Sequence, residues 1–424
     1  MEISDVKYSQ YLQILREELL PAMGCTEPIA MAYAAAKARQ TLGAMPDKID
    51  IVISGNIIKN VKSVVVPNTG GLKGIAAAVA AGTVVGDADK QLEVLSFVKP
   101  EEIPQIGKFM DECQMTVMKS ESGKLLDIDL HMYKGTDSVR LRICDYHTNI
   151  VLIEKNGQVL LKRDENAAAG SETDRSVLNV HDILDFAESV RIEDVRDMLE
   201  RQINYNLAIS EEGLRGNYGA SIGKTLLETR GDDVRVRARA QAAAGSDARM
   251  SGCELPVIIN SGSGNQGITV SVPLIIYARE RQIPQDTLYR ALTLSNLIAI
   301  HQKTGIGRLS AYCGAVSAGC GAGCGIAYME GADYRGIAHT LVNALAIVSG
   351  IVCDGAKPSC AAKIASSVEA GIFGWQMYQA GQQFCGGDGI LSKGVENTIH
   401  NVCRLGRDGM RETDREIIRI MTGC

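Results

Sequence analysis

The sequence has few aromatic residues, no excess of basic residues and no long uninterrupted apolar run. Only 4% of its 424 residues are aromatic. Its apolar stretches are interrupted by Asn, His and Asp and fall short of the about 18 residues that a membrane-spanning helix needs, so we expect no membrane association. The net charge of −6 argues against a nucleic-acid partner.

The sequence also lacks a CxxC pair and a signal peptide. The chain has no CxxC pair, which argues against a zinc ribbon. Its first twenty residues read as a charged amphipathic helix and not as a signal peptide. We therefore expect a cytoplasmic protein whose twelve cysteines stay reduced and available for metal binding or catalysis.

The pattern of apolar residues predicts an α+β fold with a largely helical catalytic body. We expect residues 1–88 and 176–424 to form that body and residues 89–175 to form a small inserted α+β domain. Within the body, KIDIVISGNI and VKSVVVP read as a pair of strands, and LEVLSFV reads as the first strand of the insert. From about Val180 onward the pattern is almost wholly helical.

Three cysteines near the C-terminus lie in Gly/Ala-rich, nearly uncharged segments. Cys313, Cys353 and Cys360 come from two distant loops and could supply three thiolates to a [4Fe–4S] cluster that keeps one iron open. Two alternatives stay open at this point. Cys320 and Cys324 could join Cys313 in a local ligand set, or all of these cysteines could be small buried apolar groups.

Cys25 lies in the segment GCTEP, directly before a predicted helix. Thr26 is the expected N-cap and Pro28 the expected first-turn residue. At this position the helix dipole should lower the pKa of the Cys25 thiol, which suits a general base. Simple packing of Cys25 is the alternative, and Glu27 could merely complement the helix dipole.

Glycine-rich turns offer backbone N–H groups and short polar side chains that could hold a substrate carboxylate. One turn contains Ser261, Ser263 and Asn265, and a second contains Asn68 and Thr69. Both could equally be plain structural corners.

Three polar residues near Cys313 and one near Cys360 are further candidates. His301, Lys303 and Arg308 could line a pocket or lie on a solvated helix end. Lys357 adds positive charge between Cys353 and Cys360 and is a candidate substrate contact. By contrast, GASIGKT only imitates a phosphate loop, because three residues instead of four separate its glycines and no strand precedes it.

Taken together, six segments resemble one family. They are GCTEP (24–28), PNTGGLKG (67–74), NSGSGNQGI (260–268), GRLSAYCGA (307–315), CDGAKPSCAAK (353–363) and NVCRLGRDGMRETDREIIRIM (401–421). In this order they resemble the iron–sulfur L-cysteine desulfidase family, which is related to the alpha chain of iron–sulfur-dependent L-serine dehydratases.

The resemblance implies that Cys313, Cys353 and Cys360 bind a [4Fe–4S] cluster and that Cys25 is the base. The terminal Cys424 would be a possible fourth ligand. The implied reaction is elimination of L-cysteine to hydrogen sulfide, pyruvate and ammonia without pyridoxal phosphate. L-Serine dehydration is the alternative, and an iron–sulfur sensor is the alternative outside enzymes. A homodimer is the expected assembly.

Overall fold

The computed structural model describes residues 1–163, 173–231 and 233–423. Within these ranges the chain has the predicted α+β fold, a helical body joined to a smaller α+β portion. No helix in the described ranges is both long enough and apolar enough to cross a membrane.

The helical body is formed by the first helix and by every helix after residue 175. These are α1 Val6–Glu18, α6 Val180–Ser189, α7 Ile192–Arg215, α8 Ile222–Arg230, α9 Val234–Met250, α10 Gly264–Arg281, α11 Gln285–Ile306, α12 Gly314–Met329, α13 Tyr334–Val348, α14 Cys360–Gln379, α15 Val395–Arg404 and α16 Arg411–Thr422. Side-chain caps begin several of them, as where Asn179 accepts from the backbone N–H of Asp182.

The α+β portion contains helices α2 Thr26–Leu42, α3 Gly55–Val61, α4 Gly74–Val85 and α5 Ile103–Glu112, and strands β2 Lys48–Ile53, β3 Gln114–Lys119, β4 Asp127–Lys134, β5 Asp137–Cys144, β6 Ile150–Lys155 and β7 Gln158–Lys162. The strands form one sheet in the order β3-β2-β4-β5-β6-β7. Strand β2 is parallel to β3, and the other pairs are antiparallel. The remaining strands, β1 Pro21–Met23 and β8 Pro256–Ile258, pair with each other.

Each portion has its own apolar core. In β2, Ile49, Ile51 and Ile53 alternate with less buried residues, which gives the strand one buried face. That face belongs to a core that includes the alanine-rich helix α2 and helix α4. A second, larger core unites α1 with α6, α7 and the helices from α9 to α15.

Two strand predictions are wrong. The segment VKSVVVP does not pair with β2, because the chain turns into helix α3 directly after β2 and Ser54 caps that helix. The segment LEVLSFV forms a short 3-10 turn and bends. The partners of β2 are β3 and β4, which come from the region that we predicted as an insert.

The sheet therefore begins upstream of residue 89, and its core reaches back to α2. The division of the chain after residues 88 and 175 stays a prediction. Helices dominate after Val180 as expected, since β8 is the only strand among the described residues of that region.

Candidate active site

The GCTEP segment is held against the PNTGG turn by close contact at Gly24. Gly24 has a φ of 64°, and a β-carbon there would lie 2.1 Å from Cγ of Pro67. Helix α2 then begins at Thr26, with Cys25 as its N-cap residue. Our N-cap assignment to Thr26 is wrong, because the Thr26 hydroxyl instead donates to the carbonyl of Gly262, at 2.9 Å.

The Cys25 thiol is buried and donates to Oε2 of Glu27, at 3.1 Å. Burial, reinforced by the Glu27 carboxylate, raises the pKa of Cys25 well above its ordinary value, although Arg249 acts in the opposite direction. The expectation of a lowered thiol pKa is therefore wrong. The helix N-terminus is present, but desolvation and a neighbouring negative charge outweigh it.

Glu27 is the acceptor around which this end of the site is organised. Oε1 accepts from the Asn60 amide at 2.9 Å, and Oε2 also accepts from the Thr26 hydroxyl at 3.2 Å. Burial acts to raise the pKa of Glu27, but His147, the Cys25 hydrogen bond and Arg249 outweigh it and hold that pKa below its ordinary value. The pair therefore consists of a neutral thiol and a carboxylate.

The three C-terminal cysteines come from two loops that pair with each other. Cys313 is the N-cap residue of α12, and Cys360 is the first residue of α14. Tyr312 and Val352 form an antiparallel bridge. On either side of it, the N–H of Cys313 donates to Ile351 at 3.2 Å, and the N–H of Cys353 donates to Ala311 at 2.6 Å. This short ladder places Cys313 opposite Ile351 and Cys353 opposite Ala311, so the two cysteines are held as diagonal neighbours.

All four thiols line one cavity, which we call the cysteine cavity. Cys25 and Glu27 lie on its wall together with Cys313, Cys353 and Cys360. Its volume is about 110 Å³, smaller than the ~300–1,000 Å³ of typical small-molecule sites. The cavity thus brings together the four cysteines that the sequence singled out.

Cations outnumber carboxylates on the wall of the cysteine cavity, where Glu27 faces Lys59, Arg249, Lys303 and Arg308. Lys59 is paired with Asp414, and Arg308 with Glu18. Neither Arg249 nor Lys303 has a carboxylate partner within hydrogen-bond distance among the described residues. Burial lowers the pKa of Lys303 to about 8, although the nearby Cys353 and Cys313 act to raise it.

The cysteine cavity suits a cluster better than a single ion. Nowhere in residues 1–163, 173–231 or 233–423 do three His, Cys, Asp or Glu side chains converge as ligands of one metal ion. A [4Fe–4S] cluster makes a different demand, because each thiolate binds its own iron. The C-terminal thiols are close enough that, after burial, the charges of Cys353 and Cys360 both act to raise the pKa of Cys313, to about 12. Three clustered thiols in a cation-rich cavity fit such a cofactor.

The predicted carboxylate turns are only partly used by this cavity. Ser263 and Asn265 line it, and Asn265 accepts from Arg249 at 3.1 Å. Ser261 instead lines a neighbouring cavity. Asn68 donates to the carbonyl of Leu95 at 2.7 Å, and Thr69 donates to that of Val66 at 2.7 Å. Thr69 thus holds its own turn, Asn68 ties that turn to Leu95, and neither side chain lines the cysteine cavity.

Other candidates separate in the same way. Lys303 and Arg308 line the cavity, whereas His301 pairs with Glu396 at 2.8 Å. Lys357 pairs with Asp354 and does not line the cavity.

The alternative ligand set of Cys313 with Cys320 and Cys324 is not supported by the packing. Cys320 and Cys324 are buried in α12 within the core of the helical body and do not line the cavity. Cys424, the possible fourth ligand, lies outside the described residues.

Sequence reasoning missed several polar wall residues. Arg249 and Gln266 are buried, and each has one side-chain atom with no partner, Nε of Arg249 and Oε1 of Gln266. Nearby glycines make room for them, since a β-carbon on Gly264 would lie 2.4 Å from Arg249 Nε and one on Gly314 would lie 2.6 Å from Gln266 Cδ. The sequence signal that could have indicated Arg249 was an arginine within an alanine-rich helical segment.

A second cavity, the histidine cavity, lies beside the first. Its wall includes His147 from the loop between β5 and β6, Glu18 from α1, and Ser261. The two cavities share five wall residues, Glu27, Ser263, Lys303, Arg308 and Leu309. Nothing in the sequence reasoning pointed to His147.

The GASIGKT segment is confirmed as a helix start and not a phosphate loop. Helix α7 precedes it where a phosphate loop requires a strand. Helix α8 begins at Ile222, and the N–H of Gly223 donates to Asp247 at 3.2 Å. A carboxylate of the protein itself therefore occupies this helix terminus.

Comparison with known proteins agrees with the chemistry of this site. The family model of the serine dehydratase alpha chain matches residues 89–419. The chain belongs to the serine dehydratase alpha chain family. The resemblance drawn from the six sequence segments is thereby confirmed. As a member of this family, the chain is a serine dehydratase-like lyase of an iron–sulfur-dependent group.

Several relatives of this serine dehydratase-like protein align with nearly its whole length. A UPF0597 protein of Desulfitobacterium hafniense is 61% identical and covers 99% of this chain and 98% of its own. Similar proteins of Lachnoclostridium phytofermentans and Treponema denticola are 52% and 47% identical, and cover 98% and 99% of this chain and 99% of their own. The Cys25 segment precedes the family-model match but lies within these longer alignments.

Proposed function

We propose that this lyase eliminates the β-substituent of a small amino acid, with L-cysteine as the first candidate and L-serine as the second. The observation that carries the proposal is the cysteine cavity, where Cys25 shares one wall with the three clustered thiols. L-Cysteine is favoured because its sulfur is a soft ligand that suits a thiolate-bound iron. L-Serine is favoured by the description of the family.

Cys313, Cys353 and Cys360 would hold the [4Fe–4S] cluster, as the donor set and the surrounding positive charge suggest. When bound, the cluster supplies a Lewis-acidic iron for the leaving group. Pyridoxal phosphate is not part of the proposal. A homodimer and a cytoplasmic location stay predictions.

The wall residues suit a substrate that carries a carboxylate. Arg249 and Lys303 bring positive charge that no carboxylate of the described residues neutralises by direct contact. An anionic substrate group would offset the cost of burying these charges. Ser263 and Asn265 lie on the same wall and offer hydrogen bonds that orient it. We infer that the carboxylate binds on this side, with Arg249 as its main partner.

We infer that Cys25 is the base for the α-proton. Its thiol is neutral in the resting site and bonded to Glu27, so it must lose its proton to the carboxylate before it accepts one from substrate. The buried wall around Cys25 keeps bulk water away from the thiolate, which strengthens it as a base.

The test is an assay of anaerobically purified and reconstituted protein with both substrates. Hydrogen sulfide and pyruvate from L-cysteine at a higher kcat/KM than pyruvate from L-serine would support the first candidate, and the reverse order would support the second. Cys25→Ser is the variant that tests the base. It should retain the cluster absorbance and lose about 10²–10⁴-fold in kcat. If the loaded protein released neither product, the proposed function would be wrong.

A further inference from the structure

Glu27 lies at the boundary between the two cavities. It lines the cysteine cavity beside Cys25 and also lines the histidine cavity beside His147. Its Oε2 accepts from the thiol at 3.1 Å. A proton that leaves Cys25 for Glu27 therefore reaches a carboxylate that is in contact with a second chamber.

His147 stands on the other side of that boundary. Its side chain is buried, and its Nε2 has no hydrogen-bond partner. A β-carbon on Gly262 would lie 3.5 Å from Cε1 of His147, and the carbonyl of the same Gly262 accepts from Thr26, the neighbour of Glu27. One glycine of the SGSGN turn thus touches both the histidine and the start of α2.

The charge state of His147 suits a proton acceptor. Burial lowers the pKa of His147, Glu27 acts to raise it, and Arg308 lowers it further. At neutral pH the imidazole is therefore neutral and can take up a proton. The remaining titratable or charged groups around the two side chains are Cys25 and Arg249 on the Glu27 side, and Glu18, Asp145, Tyr146, Arg175 and Lys303 in the histidine cavity.

We propose that Glu27 and His147 form a proton path that carries the Cys25 proton away from the substrate, into the histidine cavity. This inference rests on the proposed function, because it explains how Cys25, the proposed base, returns to its thiolate form. It also gives the sheet a part in the chemistry, since His147 belongs to the loop between β5 and β6.

Before each turnover, the S–H bond of Cys25 breaks and its proton passes to the Glu27 carboxylate, which leaves a thiolate and a neutral carboxylic acid. Because Glu27 and His147 line the same cavity without a direct hydrogen bond, Glu27 then gives this proton through water of the histidine cavity to the free imidazole nitrogen of His147, which releases it to that water. The thiolate next takes the α-proton of the substrate, the electron pair of the Cα–H bond forms the Cα–Cβ double bond, and the leaving group departs with the electron pair of its bond to Cβ. Cys25 is again a thiol, so each cycle exports one proton.

The first experiment separates a proton acceptor from a structural carboxylate at Glu27. In cluster-free protein, the pH dependence of Cys25 alkylation by iodoacetamide, followed by peptide mass spectrometry, reports the thiol pKa. In Glu27→Gln the midpoint should move to lower pH, because the negative charge that raises the thiol pKa is gone. The kcat of the loaded variant should nevertheless fall by about 10²-fold or more, since the amide cannot accept the proton.

Matched variants keep this result interpretable. Glu27→Asp retains a carboxylate and should recover part of the lost kcat. Glu412→Gln changes an exposed glutamate on α16 and should leave both measurements at wild-type values. A Glu27→Gln protein with wild-type kcat, or with an unmoved alkylation midpoint, would overturn the role of Glu27.

The second experiment tests His147. His147→Gln should lower kcat while the Cys25 alkylation midpoint stays close to that of wild type, and added imidazole should restore turnover by entering the histidine cavity. His181→Gln, at an exposed histidine of α6, is the control that should show neither effect. Wild-type kcat in His147→Gln would overturn the path, and so would a loss that imidazole does not restore.

The two proposals fail in distinguishable ways. If the loaded wild-type protein makes no product from L-cysteine or L-serine, the proposed function fails. The alkylation midpoint of Cys25 in the cluster-free protein still reports whether Glu27 controls the thiol. If the wild type is active but the Glu27 and His147 variants behave like wild type, only the proton path fails.

Discussion

The helical body and the α+β portion contribute different chemistry to the same cavity. The body provides the three clustered thiols and the cations Arg249, Lys303 and Arg308. The α+β portion provides Cys25, Glu27 and Asn60 at the ends of its helices, and His147 from its sheet. In the proposed mechanism, one portion therefore holds an anionic cofactor and substrate, and the other moves protons.

Direct polar contacts join the two portions at the site. Thr26 donates to Gly262, and the Lys59 side chain reaches both Asp414 and the carbonyl of Cys353. Because each portion has a separate apolar core, the relative position of base and thiols depends on such contacts. The candidate active site therefore lies at the interface between the two portions.

The largest effect is expected from removing a thiol that the helical body contributes to the cysteine cavity. Cys353→Ala should lose both iron and activity, because the Lewis-acidic iron is lost with its ligand. Cys320→Ala is the matched control, since Cys320 is buried in α12 and does not line the cavity. It should keep its iron. Iron and sulfide analysis of anaerobic samples checks both, and a full cluster in Cys353→Ala would remove Cys353 from the ligand set.

A smaller effect contrasts the packing of the two portions. A β-carbon on Gly323 of α12 would lie 2.5 Å from Cα of Gly371 in α14, whereas one on Gly107 of α5 would meet no atom within 4 Å. Gly323→Ala should lower the free energy of unfolding by about 3 kcal/mol through overpacking. Gly107→Ala should raise it by up to about 1 kcal/mol through helix propensity. Urea denaturation measures both, and a stable Gly323→Ala protein would contradict the close helix contact.

The smallest effect concerns buried carboxylates. In the sheet, Asp129 is paired with Arg140 at 2.7 Å, whereas burial in the body raises the pKa of Asp247 to about 6, although hydrogen bonds from Gly223, Ile222 and Ala220 act to lower it. Because this folded-state pKa is above the ordinary value of 3.8, the unfolded state ionises first, and stability is lost as pH rises from about 4 to 6.

Asp247→Asn should remove that loss and stabilise the protein at pH 7. The gain should be on the order of 1 kcal/mol, because the amide gives up charge-assisted hydrogen bonds from the α8 terminus. Asp129→Asn is the opposite control and should destabilise, since its lowered pKa favours the folded carboxylate above pH 4. Melting temperatures between pH 4 and pH 7 decide the matter. An equal pH dependence in wild type and Asp247→Asn would disprove the raised pKa.

From the sequence, the cysteines of the site could be predicted better than their protonation states. Cys25 and the three C-terminal cysteines do share one cavity, and each lies at a helix end or in a loop. The pKa of Cys25 was predicted in the wrong direction. A helix terminus is visible in a sequence, whereas burial and the orientation of a carboxylate two residues away are tertiary facts.

The fold shows the same limit. Helices after Val180 were predictable from their period, but β2 was paired with the wrong segment. Its true partners, β3 and β4, lie about 65 to 85 residues further along the chain, and local alternation carries no information about such distant pairing. His147 was missed for the same reason, because only the assembled sheet carries it to Glu27.

The Gly24–Pro67 contact has a consequence for how this protein can change over evolution. The turn that carries Pro67 rests directly on Gly24, the residue before Cys25, so an insertion or a bulkier residue there would displace Cys25 without replacing any residue of the cavity wall. Variation in that turn would be a route to altered turnover that leaves the three clustered cysteines intact.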